Sequence, residues 1–229
     1  MQKSVTALRA ALVTVQRFVA THRTLLTLVF VLFEALTLSA WAVVFWFAKQ
    51  GNFSAVSEFV FFTGNKLGEI SLLLYISTLM PGILLRLRWW PEVTAPVSSI
   101  VLQLRKHLGI LMFLTAFVHM GFSATIPQLV FVNFDLSRVQ LQGHAIFGML
   151  AWWCLLPLWL TSNDVSVRIL GTWWKRLHRL TYCAMLLIFT HVALQFSNWA
   201  VVLGLTVILE IVSHFVAYQR AQQLRGAIS

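Results

Sequence analysis

Residues 174–191 read WKRLHRLTYCAMLLIFTH, a basic cluster followed by an apolar run that closes on a histidine. Lys175, Arg176 and Arg179 suit the aqueous edge of a bilayer, and residues 180–190 suit its interior. His178 and His191 stand thirteen residues apart, which is ~19 Å along a helix. One imidazole therefore sits at the basic edge and the other past the bilayer centre. His107 and His119 repeat the pattern twelve residues apart on an earlier apolar stretch, ~18 Å by the same rise. Ionisable side chains are rare at membrane depth, and one found there marks function by default.

The composition agrees with a membrane setting. Of 229 residues, 59% are apolar and 10% are charged, more apolar surface than a soluble domain of this length hides. Stretches 24–48, 67–85, 107–126, 141–160, 179–197 and 199–218 are each long enough to cross a membrane, which takes about 20 apolar residues. Basic residues cluster on alternate connections. Lys3, Arg9, Arg17 and Arg23 precede the first span, and Arg86, Arg88, Arg105 and Lys106 lie between the second and third. Arg168, Lys175, Arg176 and Arg179 lie around the start of the fifth, and Arg220 and Arg225 follow the sixth. Lys49, Lys66 and Arg138 fall on the other side. An excess of Lys and Arg marks the cytoplasmic face, so both termini are expected there. The net charge of +10 is then a topology signal, and no nucleic-acid partner is expected.

The expected architecture is an all-α integral membrane protein. Residues 24–218 form a six-transmembrane-helix bundle, and 219–229 form a cytoplasmic tail. In residues 1–23, Val5, Leu8, Leu12, Val15 and Val19 recur at helical spacing among basic residues. That pattern predicts an amphipathic helix on the inner membrane surface. Ala40-Trp41-Ala42 resembles a signal cleavage site, but the charged leader is long and the apolar stretch has full spanning length, so a retained span is favoured. The inner connection 86–106, stiffened by Pro91 and Pro96, and the outer connection 121–140, with Pro127, are too short for domains. Trp46, Trp89, Trp90, Trp173, Trp174 and Trp199 are read as interfacial anchors. Cys154 and Cys183 lie in apolar runs without a CxxC or CxxCH, which disfavours covalent haem, a zinc knuckle or a disulfide framework.

Imidazole is a standard axial ligand of haem iron. The third and fifth spans run in the same direction, so His107 matches His178 in level and His119 matches His191. Two stacked b-type haems, or one, could be gripped between those spans. The angular phase is less orderly, because twelve residues turn ~120° beyond whole turns and thirteen turn ~220°. His107 can also be read as a membrane-edge residue. His144 is read as a surface-facing interfacial residue, with an alternative outer ligand or a contact to a partner as the other readings, and His214 as a structural hydrogen-bonding partner. Arg105, Arg176 and Arg179, with Lys106, lie level with an inner haem and suit its propionates, although the positive-inside rule alone accounts for them. Glu34, inside the first span, is expected to bond a neighbouring helix or to relay a proton.

Leu156-Pro157-Leu158, Thr161-Ser162-Asn163-Asp164, Arg168-Ile169-Leu170-Gly171 and the run from Trp174 through His178 to Tyr182, followed by His191, resemble the ferric reductase-like transmembrane family. Within it, the chain is most similar to the haem-binding membrane subunits of bacterial periplasmic methionine sulfoxide reductase systems. Arg105-Lys106-His107-Leu108-Gly109 with His119, then Thr63-Gly64 and Thr78-Leu79-Met80-Pro81-Gly82, extend the likeness across residues 60–195. The resemblance implies a six-helix bundle in a bacterial inner membrane, b-type haem, and His119, His178 and His191 as ligands. His107 and His144 depart from the subfamily's pattern.

A haem with two axial imidazoles has no open coordination position and passes single electrons. The expected route runs from a cytoplasmic donor, through haem, to a periplasmic acceptor. No GxGxxG follows a strand, so a separate flavoprotein, a bound flavin or quinol is expected to supply electrons. The resemblance favours a periplasmic reductase partner as acceptor. A ferric reductase or superoxide-generating membrane cytochrome is the alternative, and a proton or metal transporter is the alternative of another class.

Overall fold

A single apolar segment in lipid satisfies its own backbone polar groups only as a helix, and most of the described residues are helical. The computed structural model describes residues 2–125 and 142–226, with no strand among them. Pro127 and Arg138 of the expected outer connection lie outside the described residues.

Helix α1 (Gln2–Thr21) lies along α4 (Pro91–Met120), and His22 separates it from α2 (Arg23–Lys49). Then come α3 (Phe53–Leu87) and α4, which runs on into a π-helical turn, Gly121–Thr125. After the undescribed stretch follow α5 (Gly143–Leu160), α6 (Asp164–Leu170), α7 (Thr172–Leu177), α8 (Leu180–Leu194) and α9 (Trp199–Gly226). Six helical segments are long and apolar enough to cross a membrane.

Two expected boundaries are corrected. The second span begins fourteen residues before 67, because Asn52 caps α3 by accepting a hydrogen bond from the Ala55 N–H. The polar residues Lys66 and Glu69 pair along that helix at 2.9 Å instead of ending it. The inner connection shrinks to residues 88–90, where Arg88 and Trp90 take left-handed backbone angles of φ 53° and 52°. Pro91 then starts α4 at the position where its fixed φ suits a helix, and Pro96 lies within the second turn. Helix α9 continues through the expected tail segment to Gly226. There Arg220 donates to the carbonyls of Arg86 and Leu87 and closes the end of α3.

The main core joins α3, α4, α5 and α8 through Tyr75, Leu79, Ile83, Met112, Phe113, Leu155, Leu158, Ala184 and Met185. A second cluster joins α2, α3 and the end of α4 through Ala40, Val44, Val56, Val60, Val118 and Phe122. Outside these lie exposed Leu32, Phe45, Phe61 and Val201, side chains that suit a lipid-facing surface. Glu210 of α9 is 4% exposed. The Arg86 guanidinium bonds it and Ser213, and His214 lies 3.2 Å from its other oxygen. This network fastens α9 to α3. Trp174, expected as an anchor, faces inward and donates its indole N–H to the Thr161 carbonyl.

Candidate functional site

Two cavities lie one above the other in the core, sharing Tyr75, Met112 and Leu155 as a common wall. The larger, about 1110 Å3, occupies the end away from the basic clusters. The smaller, about 260 Å3, occupies the basic end. Between them the Tyr75 hydroxyl donates to the Thr181 carbonyl at 2.6 Å.

His119, near the end of α4, and His191, late in α8, meet at the larger cavity with ring centroids 6.2 Å apart and planes at 74°. The His119 Nδ1–H donates to the Gly64 carbonyl at 2.8 Å, with the Ser123 hydroxyl oxygen 3.2 Å from the same nitrogen. The His191 Nδ1–H donates to the His144 carbonyl at 2.7 Å. A carbonyl can only accept, so both bonds place the proton on Nδ1 and leave Nε2 with its lone pair. The Gln195 amide nitrogen lies 3.1 Å from the His191 Nε2, a donor on that lone pair.

The pair fits iron porphyrin. Iron bound in line by two imidazole nitrogens at about 2 Å each, with each ring centre about 1 Å behind its nitrogen, sets the centroids about 6 Å apart. The Nδ1–H to carbonyl bond is the usual support of a metal-bound imidazole. Among the described residues no group of three or more His, Cys, Asp or Glu converges. A bare ion would want about four protein ligands, whereas a porphyrin brings its own equatorial nitrogens. The Trp152 indole Nε1 is buried without a hydrogen-bond partner on the cavity wall.

The other expected residues fall differently. His107 does not meet His178. It stacks on Phe30 of α2 at 5.2 Å, and its Nε2 lies 3.3 Å from the Thr27 hydroxyl. The ~120° turn between His107 and His119 sends them to different faces of α4. His178 sits in the break between α7 and α8, stacked on Trp174 at 3.9 Å with its Nε2 3.3 Å from the Thr161 hydroxyl. It lines the smaller cavity with Arg105, Lys106 and Asn163. Arg176 and Arg179 line neither cavity. They are exposed, and Arg176 lies over the Trp173 ring. His144 serves the site through its backbone carbonyl, and its ring is 5.8 Å from that of His191. Glu34 makes no bond to another helix among the described residues, and its Oε1 is buried without a partner. His214 bonds as expected, with Glu210 and Tyr182.

Sequence reasoning did not place Gly68, Gly148, Lys66 and Trp152 on the wall of the larger cavity, where the structure has them. The spacing Gly64-x-x-x-Gly68, four residues apart on a membrane helix, was a signal for close approach by another element.

A sequence profile of the family described as Ferric reductase like transmembrane component matches residues 67–189, more than half of the chain. The chain is similar to "Protein-methionine-sulfoxide reductase heme-binding subunit MsrQ" of Brucella ovis, Brucella canis and Brucella abortus, at 30% identity over 99 residues in each case. The matched part is 43% of this chain and 45% of each relative, so it spans under half the length of these relatives. No solved structure matches.

Proposed function

The chain belongs to the ferric reductase-like transmembrane family, and from that premise we propose that it is a b-type haem electron-transfer protein of a bacterial inner membrane. The observation that carries this reading is the His119–His191 pair, 6.2 Å apart over a large cavity, with each Nδ1 fixed by a carbonyl. A haem held there by His119 and His191 would supply one-electron chemistry. His119 and His191 would present Nε2 to the iron. The Gly64 and His144 carbonyls hold the two rings in one tautomer and raise their basicity. Met112, Ala151, Leu155 and Ile188 keep water from the inner part of the cavity. Gln195 has to swing off the His191 Nε2 when the ligand enters.

The smaller cavity is proposed as the place where electrons enter. Its single imidazole is His178, and Arg105 and Lys106 give it positive charge. A reduced flavin, a quinol or an inner haem held by His178 would each be drawn by that setting, and haem stoichiometry separates the third from the others. The basic clusters support a cytoplasmic position for this cavity and for both termini. The larger cavity then opens toward the periplasm past Gln142, His144 and Ser197. The relatives' name, a subunit of a protein-methionine-sulfoxide reductase, supports a periplasmic reductase partner as the acceptor.

The test is vectorial electron transfer. The purified protein is reconstituted in vesicles with dithionite outside and ferricyanide sealed inside. Reduction of the trapped acceptor should require haem and should fall to the empty-vesicle rate in His119→Ala and in His191→Ala. Equal rates in wild type and both variants would refute the conduit.

A further inference from the structure

The two candidate ligands are seated by the same construction, built twice on unrelated stretches of sequence. A Cβ placed on Gly68 of α3 would stand 2.7 Å from the His119 Nδ1. A Cβ placed on Gly148 of α5 would stand 2.8 Å from the His191 Nδ1. In both cases the carbonyl that accepts the Nδ1–H belongs to the residue one helical turn earlier, Gly64 or His144. A histidine from the neighbouring helix thus occupies the space of the missing side chain and reaches the carbonyl one turn back.

Other glycines of the membrane helices do different work. Gly121 would meet Trp41, Gly64 would meet Ser123 and Phe122, Gly82 would meet Arg86, and Gly204 would meet Phe189, while Gly109 has open space. The two glycines that abut imidazoles abut the two rings that face each other across the large cavity.

The geometry points to Gly68 and Gly148 as positioning residues for the axial imidazoles. Each leaves room for the ring and, through the carbonyl one turn back, fixes its tautomer, its rotation and its basicity. The near-perpendicular ring planes, 74° apart, belong to rings seated in two separate notches, one on α3 and one on α5. This inference rests on the haem reading above. It adds a claim that reading does not need, namely that a methyl group on either of two residues outside the coordination sphere retunes the iron.

An alanine at either position has to push the ring off its carbonyl, because real Cβ contacts do not close below 3.0 Å. Loss of the Nδ1–H bond makes the imidazole a weaker donor to ferric iron, so the midpoint potential moves positive. Loss of such outer partners costs about 10–100-fold in metal affinity. The experiment takes full-length wild type, Gly68→Ala, Gly148→Ala, the packing control Gly121→Ala and the ligand variant His119→Ala, each purified in detergent. Haem content, the low-temperature EPR spectrum of the oxidised protein and the midpoint potential are measured. Gly68→Ala and Gly148→Ala should each bind haem more weakly, shift the low-spin EPR signal and move the potential positive. Gly121→Ala should lose thermal stability with the wild-type EPR signal kept. Wild-type EPR and potential in both alanine variants would overturn the inference, and so would failure of either variant to fold, since that would assign the glycine to packing. A wild type without low-spin haem, or a His119→Ala protein with an unaltered signal, would instead sink the haem reading itself.

Discussion

An imidazole that holds iron gives one nitrogen to the metal, and what binds the other nitrogen decides its orientation and donor strength. At the residue scale this separates the histidines. His119 and His191 have Nδ1 committed to carbonyls, and both line one cavity. His107 instead has its Nε2 at the Thr27 hydroxyl and its ring on Phe30. His107→Ala is therefore expected to keep the wild-type haem content and reduced α-band, and a loss of haem in that variant would show that the ring turns inward. If both rings hold the haem, the 74° between the His119 and His191 planes predicts an EPR spectrum of the kind given by perpendicular imidazoles, with a single broad feature at large g. A three-line spectrum of the parallel type would contradict that angle. The sequence singled out these residues and the levels expected of them, because charge patterning and the helical rise set levels along a span. It did not carry the partner of each ring. The ~120° phase between His107 and His119 was a readable warning, but only packing against α2 determines which of the two faces the cavity.

At the scale of elements, hydropathy located all six crossings but not their ends. Polar residues such as Lys66 and Glu69 look like a boundary in sequence, yet they pair along one helix and one face of a cavity. Pro91 and Pro96 look like a loop, yet the first of them starts α4. The fastening of α9 could not be read in advance, since it depends on Arg86 meeting a carboxylate more than a hundred residues away. Glu210→Leu would leave the Arg86 charge half-buried and unpaired, so the variant should lose about 3–5 kcal/mol, the usual cost of breaking a buried pair from one side. Arg86→Met combined with Glu210→Leu should recover much of that loss. Thermal unfolding in detergent checks both. A single variant as stable as wild type would mean that packing alone holds α9.

At the scale of the whole molecule, the account needs the two cavities to open on opposite sides of the membrane. A cysteine-free background with Trp89→Cys or Asn198→Cys tests the orientation. A membrane-impermeant maleimide applied to intact spheroplasts should label Asn198→Cys and spare Trp89→Cys, and the reverse pattern would invert the proposed electron path. The claim underneath all of this is that His119 and His191 grip the same iron. The direct measurement is haem content with the low-spin optical spectrum in His119→Ala, His191→Ala and the double variant. If one iron is shared, each single variant loses the same low-spin component and the double variant loses no more. Losses that add in the double variant, or a single variant that keeps the full wild-type spectrum, would contradict it.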